Sequence, residues 1–112
     1  MFLGKSRRSP ALEVEMYNKL SDECKNTAVK NMSDNLVALR TLLHLTQAQL
    51  AEIMGVTRQT LVSYETGKRI MTWNTFLSLM FIFTQKRETR ELLNILDIYS
   101  DEMKDLYGND NK

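Results

Sequence analysis

Apolar residues recur along this chain at spacings of three and four, the repeat of a helix with one inward face. Leu12, Met16, Leu20 and Cys24 follow one another at intervals of four behind Ser9-Pro10. Serine suits the cap and proline the first helical position, so an N-terminal helix is predicted there. The period weakens over 25–31, leaving Ala28, Val29 and Met32, and the end of that helix is open. Ser33 is the predicted cap of a second helix with an inward stripe of Leu36, Leu39 and Leu43, widened by Val37 and ending near His44.

Thr46-Gln47-Ala48-Gln49 has the form of a capping box, which opens a short helix through Met54 with Leu50, Ile53 and Met54 on its apolar side. Gly55 can take the left-handed conformation that ends it, Val56 puts an apolar residue into the turn, and Thr57 caps the next helix. That helix runs to about Glu65, with Gly67 just beyond its end. From Thr72 to Phe83 apolar residues cover most of a helix circumference, more than one small core can bury. A last helix is predicted from about Glu88 to Tyr99, extending through Met103 and Leu106 before the polar tail 108–112. One proline, four glycines and no run of β-branched alternation make the chain all-α.

The length of 112 residues is that of one domain, and 43% hydrophobic with 26% charged residues is a globular mixture. A single cysteine, Cys24, excludes an internal disulfide and a thiolate zinc cluster, which suits a reducing cytoplasm. The longest apolar stretch, Phe76 to Phe83, is far below the ~18 residues of a membrane span, and Met1 to Pro10 lacks a signal-peptide core. The formal net charge of +1 hides an asymmetry. Residues 1–30 carry six bases and four acids, residues 31–70 four and three, and residues 71–112 five and seven. A surface facing an anionic partner is therefore expected in the first 70 residues.

Two short helices meeting steeply across a Gly corner need a small residue where they pass, and Ala51 supplies it. On the second helix Leu61 and Tyr64 lie on one side, behind Val56, while Arg58, Gln59, Val62 and Ser63 project from the other. Arginine suits guanine O6 and N7, glutamine suits adenine N6 and N7, and valine can meet a thymine methyl, so that face matches major-groove edges.

The stretch Thr46 to Arg69 resembles the helix-turn-helix of the lambda-repressor and Cro-like (XRE) family of DNA-binding regulators. The resemblance rests on Thr46-Gln47, Ala51, Gly55 and Glu65-Thr66-Gly67-Lys68, and extends over roughly residues 33–98. It implies a five-helix DNA-binding domain with an extra N-terminal helix. It also implies base reading by Thr57, Arg58, Gln59 and Ser63 with Val62 beside them, and backbone contacts from Gln47, Lys68 and Arg69. Arg40 and Glu65 match a pair that forms a salt bridge in relatives, and with Ala51, Gly55 and Gly67 they are the motif's structural residues. The chain departs from the family at His44-Leu45, where Gly-Leu is frequent, and after Arg69, where a Gly-Val-Ser type of turn is missing.

The expected division is an N-terminal helical extension over 1–32, a DNA-binding domain over 33–107 with dimerisation helices at 72–106, and a flexible tail. The expected function is a transcriptional regulator, most often a repressor in this family, that reads an inverted repeat in double-stranded DNA as a homodimer through residues 73–106. The competing reading is an antitoxin or other partner-binding protein, in which residues 1–32 or the C-terminal helices hold a toxin or co-regulator. No enzyme, cofactor or metal is expected, since the only histidine, His44, has no nucleophile near it in sequence. Cys24 reads as a small core residue, and Lys5, Arg7 and Arg8 as a solvated terminus more than a minor-groove arm. Asp97, Asp101, Glu102 and Asp105 read as a solvated face.

Overall fold

The computed structural model describes residues 21–107, all-helical in their regular structure. The expectations on Ser9-Pro10, Leu12, Met16, Leu20, the Lys5, Arg7, Arg8 cluster and the tail 108–112 lie outside those residues.

The first helix among the described residues is α1 (Asp22–Asp34). Ser21 is extended, its hydroxyl accepts from the Cys24 amide at 3.0 Å, and Asp22 and Glu23 sit where the helix dipole favours acids. α1 runs straight through Ser33, which is not a cap. The Ser33 hydroxyl donates instead to the Tyr64 carbonyl at 2.6 Å, 31 residues away. The break comes at Asn35, whose amide bonds back to Asn31 and Met32 and whose Nδ2 donates to the Asn31 carbonyl at 2.9 Å. A division at 32/33 falls inside α1, which buries Ala28 and Met32 in the common core.

Helix α2 (Leu36–Leu42) follows without a side-chain cap. Leu36 and Leu39 are buried, but Val37 is 47% exposed and does not widen the inward stripe. His44 ends the helix in the left-handed region at φ 59°, donating its amide to the Thr41 carbonyl. α3 (Gln47–Met54) opens on the full capping box: Thr46 Oγ1 accepts from the Gln49 amide at 3.1 Å and Gln49 Oε1 from the Thr46 amide at 2.9 Å. Leu50 and Ala51 face inward while Ile53, expected there, is 55% exposed. Gly55 ends α3 at φ 77°. Thr57 caps α4 (Arg58–Glu65), accepting from the Thr60 amide at 3.1 Å.

The apolar wrap of α5 (Trp73–Phe83) is divided: Phe76, Leu79, Met80 and Phe83 are buried, and Phe81 is 69% exposed. The expected single last helix is two. α6 (Arg87–Ile95) stops where Asp97 turns left-handed at φ 59°. Ser100 then accepts from the Met103 amide at 3.3 Å and opens α7 (Asp101–Tyr107). The turn lets Ile98 and Met103 both reach the core, which one straight helix would not do.

α3 and α4 pack on each other, α1 packs on α2, α4 and α5, and α6 packs on α2 and α5. Fully buried Met32, Leu36, Leu39, Leu50, Leu61, Phe76, Phe83 and Leu93 join them in one core, each burial worth ~1.5–3 kcal/mol before entropic losses. Among the described residues no helix is long and apolar enough to cross a membrane.

Candidate nucleic-acid interface

α4 is seated from its inner side. Leu61 is wholly buried and Tyr64 nearly so, and Ala51, on the helix α3 that packs against α4, is 2% exposed. The Val56 amide donates to the Ala51 carbonyl at 3.0 Å, so the corner is fixed by backbone as well as by packing. With Leu61 and Tyr64 inward, Thr57, Arg58 and Gln59 are exposed, and Val62 and Ser63 are half-buried at the margin of the same face.

These five candidates are brought together on one helix, but they are not equally free. Among the described residues, the side chains of Arg58 and Gln59 have no hydrogen-bond partner and keep their donors. The Thr57 hydroxyl is used by the cap and lies 2.9 Å from that of Thr60. Ser63 donates its hydroxyl hydrogen to the Thr60 carbonyl at 2.6 Å, so it can offer a ligand only an acceptor.

Beyond α4, the amides of Thr66, Gly67 and Arg69 donate to the carbonyls of Val62, Tyr64 and Ser63. Gly67 adopts φ 77°. Lys68 and Arg69, just past this termination, are exposed.

Behind the face, Arg40 holds three elements together. Its Nε donates to Glu65 Oε2 at 2.6 Å, its Nη2 to Glu65 Oε1 at 3.5 Å and its Nη1 to the Leu45 carbonyl at 3.0 Å. Arg40 is 14% and Glu65 3% exposed, so the pair matched from sequence forms in a nearly dry place. Gln47 joins it, donating Nε2 to Glu65 Oε1 at 2.9 Å. The Gln47 side chain, expected to hold the DNA backbone, is thus tied to the end of α4 and keeps one amide hydrogen for any other acceptor. Sequence patterning did not reveal this link, because residues 18 apart on different helices leave no periodic trace.

Of the acidic residues expected as a solvated face, Glu102 differs, since its Oε2 accepts from the Ser21 amide at 2.9 Å and closes α7 onto the start of α1. Cys24 packs against the core edge with its Sγ 3.3 Å from Ser100 Oγ. Burial pushes its thiol pKa up, and Glu102 and Asp97 push the same way against the opposing Ser100 hydrogen bond.

Two short helices joined over a Gly corner, the second presenting arginine and glutamine donors without partners among the described residues and followed by two bases, have the form of a helix-turn-helix. Residues 36–72, 37 of the 112, match the helix-turn-helix family model, from the first residue of α2 to the cap of α5. Over this segment, about a third of its length, the chain is similar to the helix-turn-helix family. No curated protein and no solved structure matched.

Proposed function

We propose that the protein is a sequence-specific repressor that binds an inverted repeat in double-stranded DNA as a homodimer, with α4 in the major groove. The observation that carries this reading is the free pair Arg58 and Gln59 on the exposed face of a helix whose opposite face is locked in the core. Arg58 reads guanine and Gln59 adenine, Val62 meets a thymine methyl, and Thr57 and Ser63 contribute at the edges. Lys68 and Arg69 hold phosphates and set the register, and the amide end of α3 at Gln47 faces the opposite flank of the groove.

Support for the dimer comes from Phe81 and Ile95, 69% and 77% exposed, in the helices after the motif. Large apolar side chains so exposed suit a second copy. The burial of Ala28 and Met32 favours a regulator with one core over a detached partner-binding arm.

Selection from random duplexes tests the proposal. The expected winner is an inverted repeat with half-site centres about 10–10.5 bp, or a multiple, apart. A pool that stays unenriched at low salt would overturn the reading, and a monomer in sedimentation both free and on the selected duplex would remove the dimer from it.

A further inference from the structure

α1 lies before the matched segment 36–72, and yet it lies against the end of the base-reading helix. The hydrogen bond from Ser33 to the Tyr64 carbonyl pins its last turn to the last turn of α4. Asn26, Lys30 and Ser33, at i, i+4 and i+7, then form one stripe along α1. That stripe is one wall of a groove of about 480 Å³ whose other wall is the chain just past Gly67, including Arg69 and Ile70. Lys30, Arg69 and the neighbouring Lys68 are all exposed, against one acid, Asp34. Asp34 Oδ2 holds Lys30 Nζ at 2.7 Å, but both side chains are more than half exposed, and an exposed i, i+4 pair is too weak to keep the ammonium from a phosphate. Ile70, 84% exposed, gives the groove an apolar lip that fits the carbon face of a deoxyribose better than a polar solute.

We propose that this groove is an additional DNA-backbone site, in which Lys30, with Asn26 beside it, takes a phosphate just past those held by Lys68 and Arg69. The proposal rests on the DNA-binding reading above and deepens it: the footprint extends beyond the helix-turn-helix, with α1 as its outer edge. A helix that enters the groove at its start leaves its far end near the flanking strand, where a base carried on α1 meets phosphate rather than base edges.

The test uses the full chain, the selected duplex and a scrambled duplex of equal length. Lys30→Ala is expected to weaken binding to both by about five- to tenfold near physiological salt and to lower the salt slope by about one, the share of a single phosphate. Ethylation interference should lose one flanking phosphate position in each half-site. Asp34→Asn removes the same ion pair while leaving the ammonium, and should bind as well as or better than the parent. An unchanged slope and ethylation pattern in Lys30→Ala, alongside a reduced slope in Lys68→Ala, overturns the α1 site and leaves the DNA-binding reading standing. Equal losses in Lys30→Ala and Asp34→Asn also overturn it, since the pair then acts by stabilising α1. A parent protein that binds neither duplex overturns both.

Discussion

Replacing Glu65 by alanine should destabilise the protein more than the loss of one ion pair on its surface. The carboxylate is 3% exposed and accepts from Arg40 Nε at 2.6 Å, Arg40 Nη2 at 3.5 Å and Gln47 Nε2 at 2.9 Å. Without it, a guanidinium that is 14% exposed keeps only the Leu45 carbonyl at 3.0 Å. Stranding one member of a buried pair costs about 3–5 kcal/mol, and the remaining carbonyl and partial exposure place Glu65→Ala near the low end, about 3 kcal/mol. Glu65→Gln keeps one accepting oxygen but sets an amide donor against the remaining N–H donors, so it loses charge assistance and an acceptor, about 1–3 kcal/mol. At about 4–8 °C per kcal/mol for a domain of this size, the alanine variant should melt roughly 12–24 °C below the parent. Urea unfolding can be followed by the single tryptophan, Trp73, whose ring stacks on Phe76 at 4.6 Å. The double variant Arg40→Ala/Glu65→Ala should recover about 1–3 kcal/mol relative to the sum of the single losses. A loss below about 1 kcal/mol with no coupling, the behaviour of an exposed pair, would refute the claim that this network holds α4 in place.

Ala51→Leu should cost about 1–3 kcal/mol in urea unfolding and weaken DNA binding as well, because the added bulk enters a site that is 2% exposed on the helix packed against α4. Gly67→Ala meets nothing within 4 Å, so only its φ of 77° resists a side chain, and thermal unfolding should show a loss of about 1–2 kcal/mol. For Cys24 the folded pKa is raised, so the folded state holds the thiol proton more tightly than the unfolded chain. The resulting stabilisation is complete below the unfolded thiol's pKa and is lost as pH rises through the folded one. Urea midpoints should therefore fall on the alkaline side in the parent more steeply than in Cys24→Ala, and thiol alkylation should need a higher pH than for a free cysteine.

What the sequence made legible is local chemistry. The Thr46 capping box, the left-handed Gly55 and Gly67 and the Thr57 cap are all settled within about four residues, where side chain and backbone answer one another directly. Ser33 shows the limit: it stands before an apolar stripe as a cap would, but its hydroxyl is used on a carbonyl 31 residues away. Asp97 shows another, since the apolar repeat continues from Leu92 to Leu106 while the backbone reverses between, and nothing in the period distinguishes a continuous helix from two that reach the same core. Arg58 and Gln59 are candidates by residue type and face; among the described residues their side chains have no partner, whereas Ser63 has spent its hydroxyl hydrogen and Gln47 one of its two amide hydrogens. The bond between Glu102 and Ser21 spans 81 residues and has no local signature.

The central claim is that Arg58 reads a base while Lys68 holds the backbone. It is tested most directly by measuring affinity for the selected duplex, and for each single-base change in it, with the parent, Arg58→Ala and Lys68→Ala over a range of salt. Arg58→Ala should lose about 1–3 kcal/mol at the preferred site and accept other bases at one position of each half-site. Lys68→Ala should weaken every duplex alike and flatten the salt dependence. An Arg58→Ala protein that keeps the parent's ranking of all the duplexes would contradict the account.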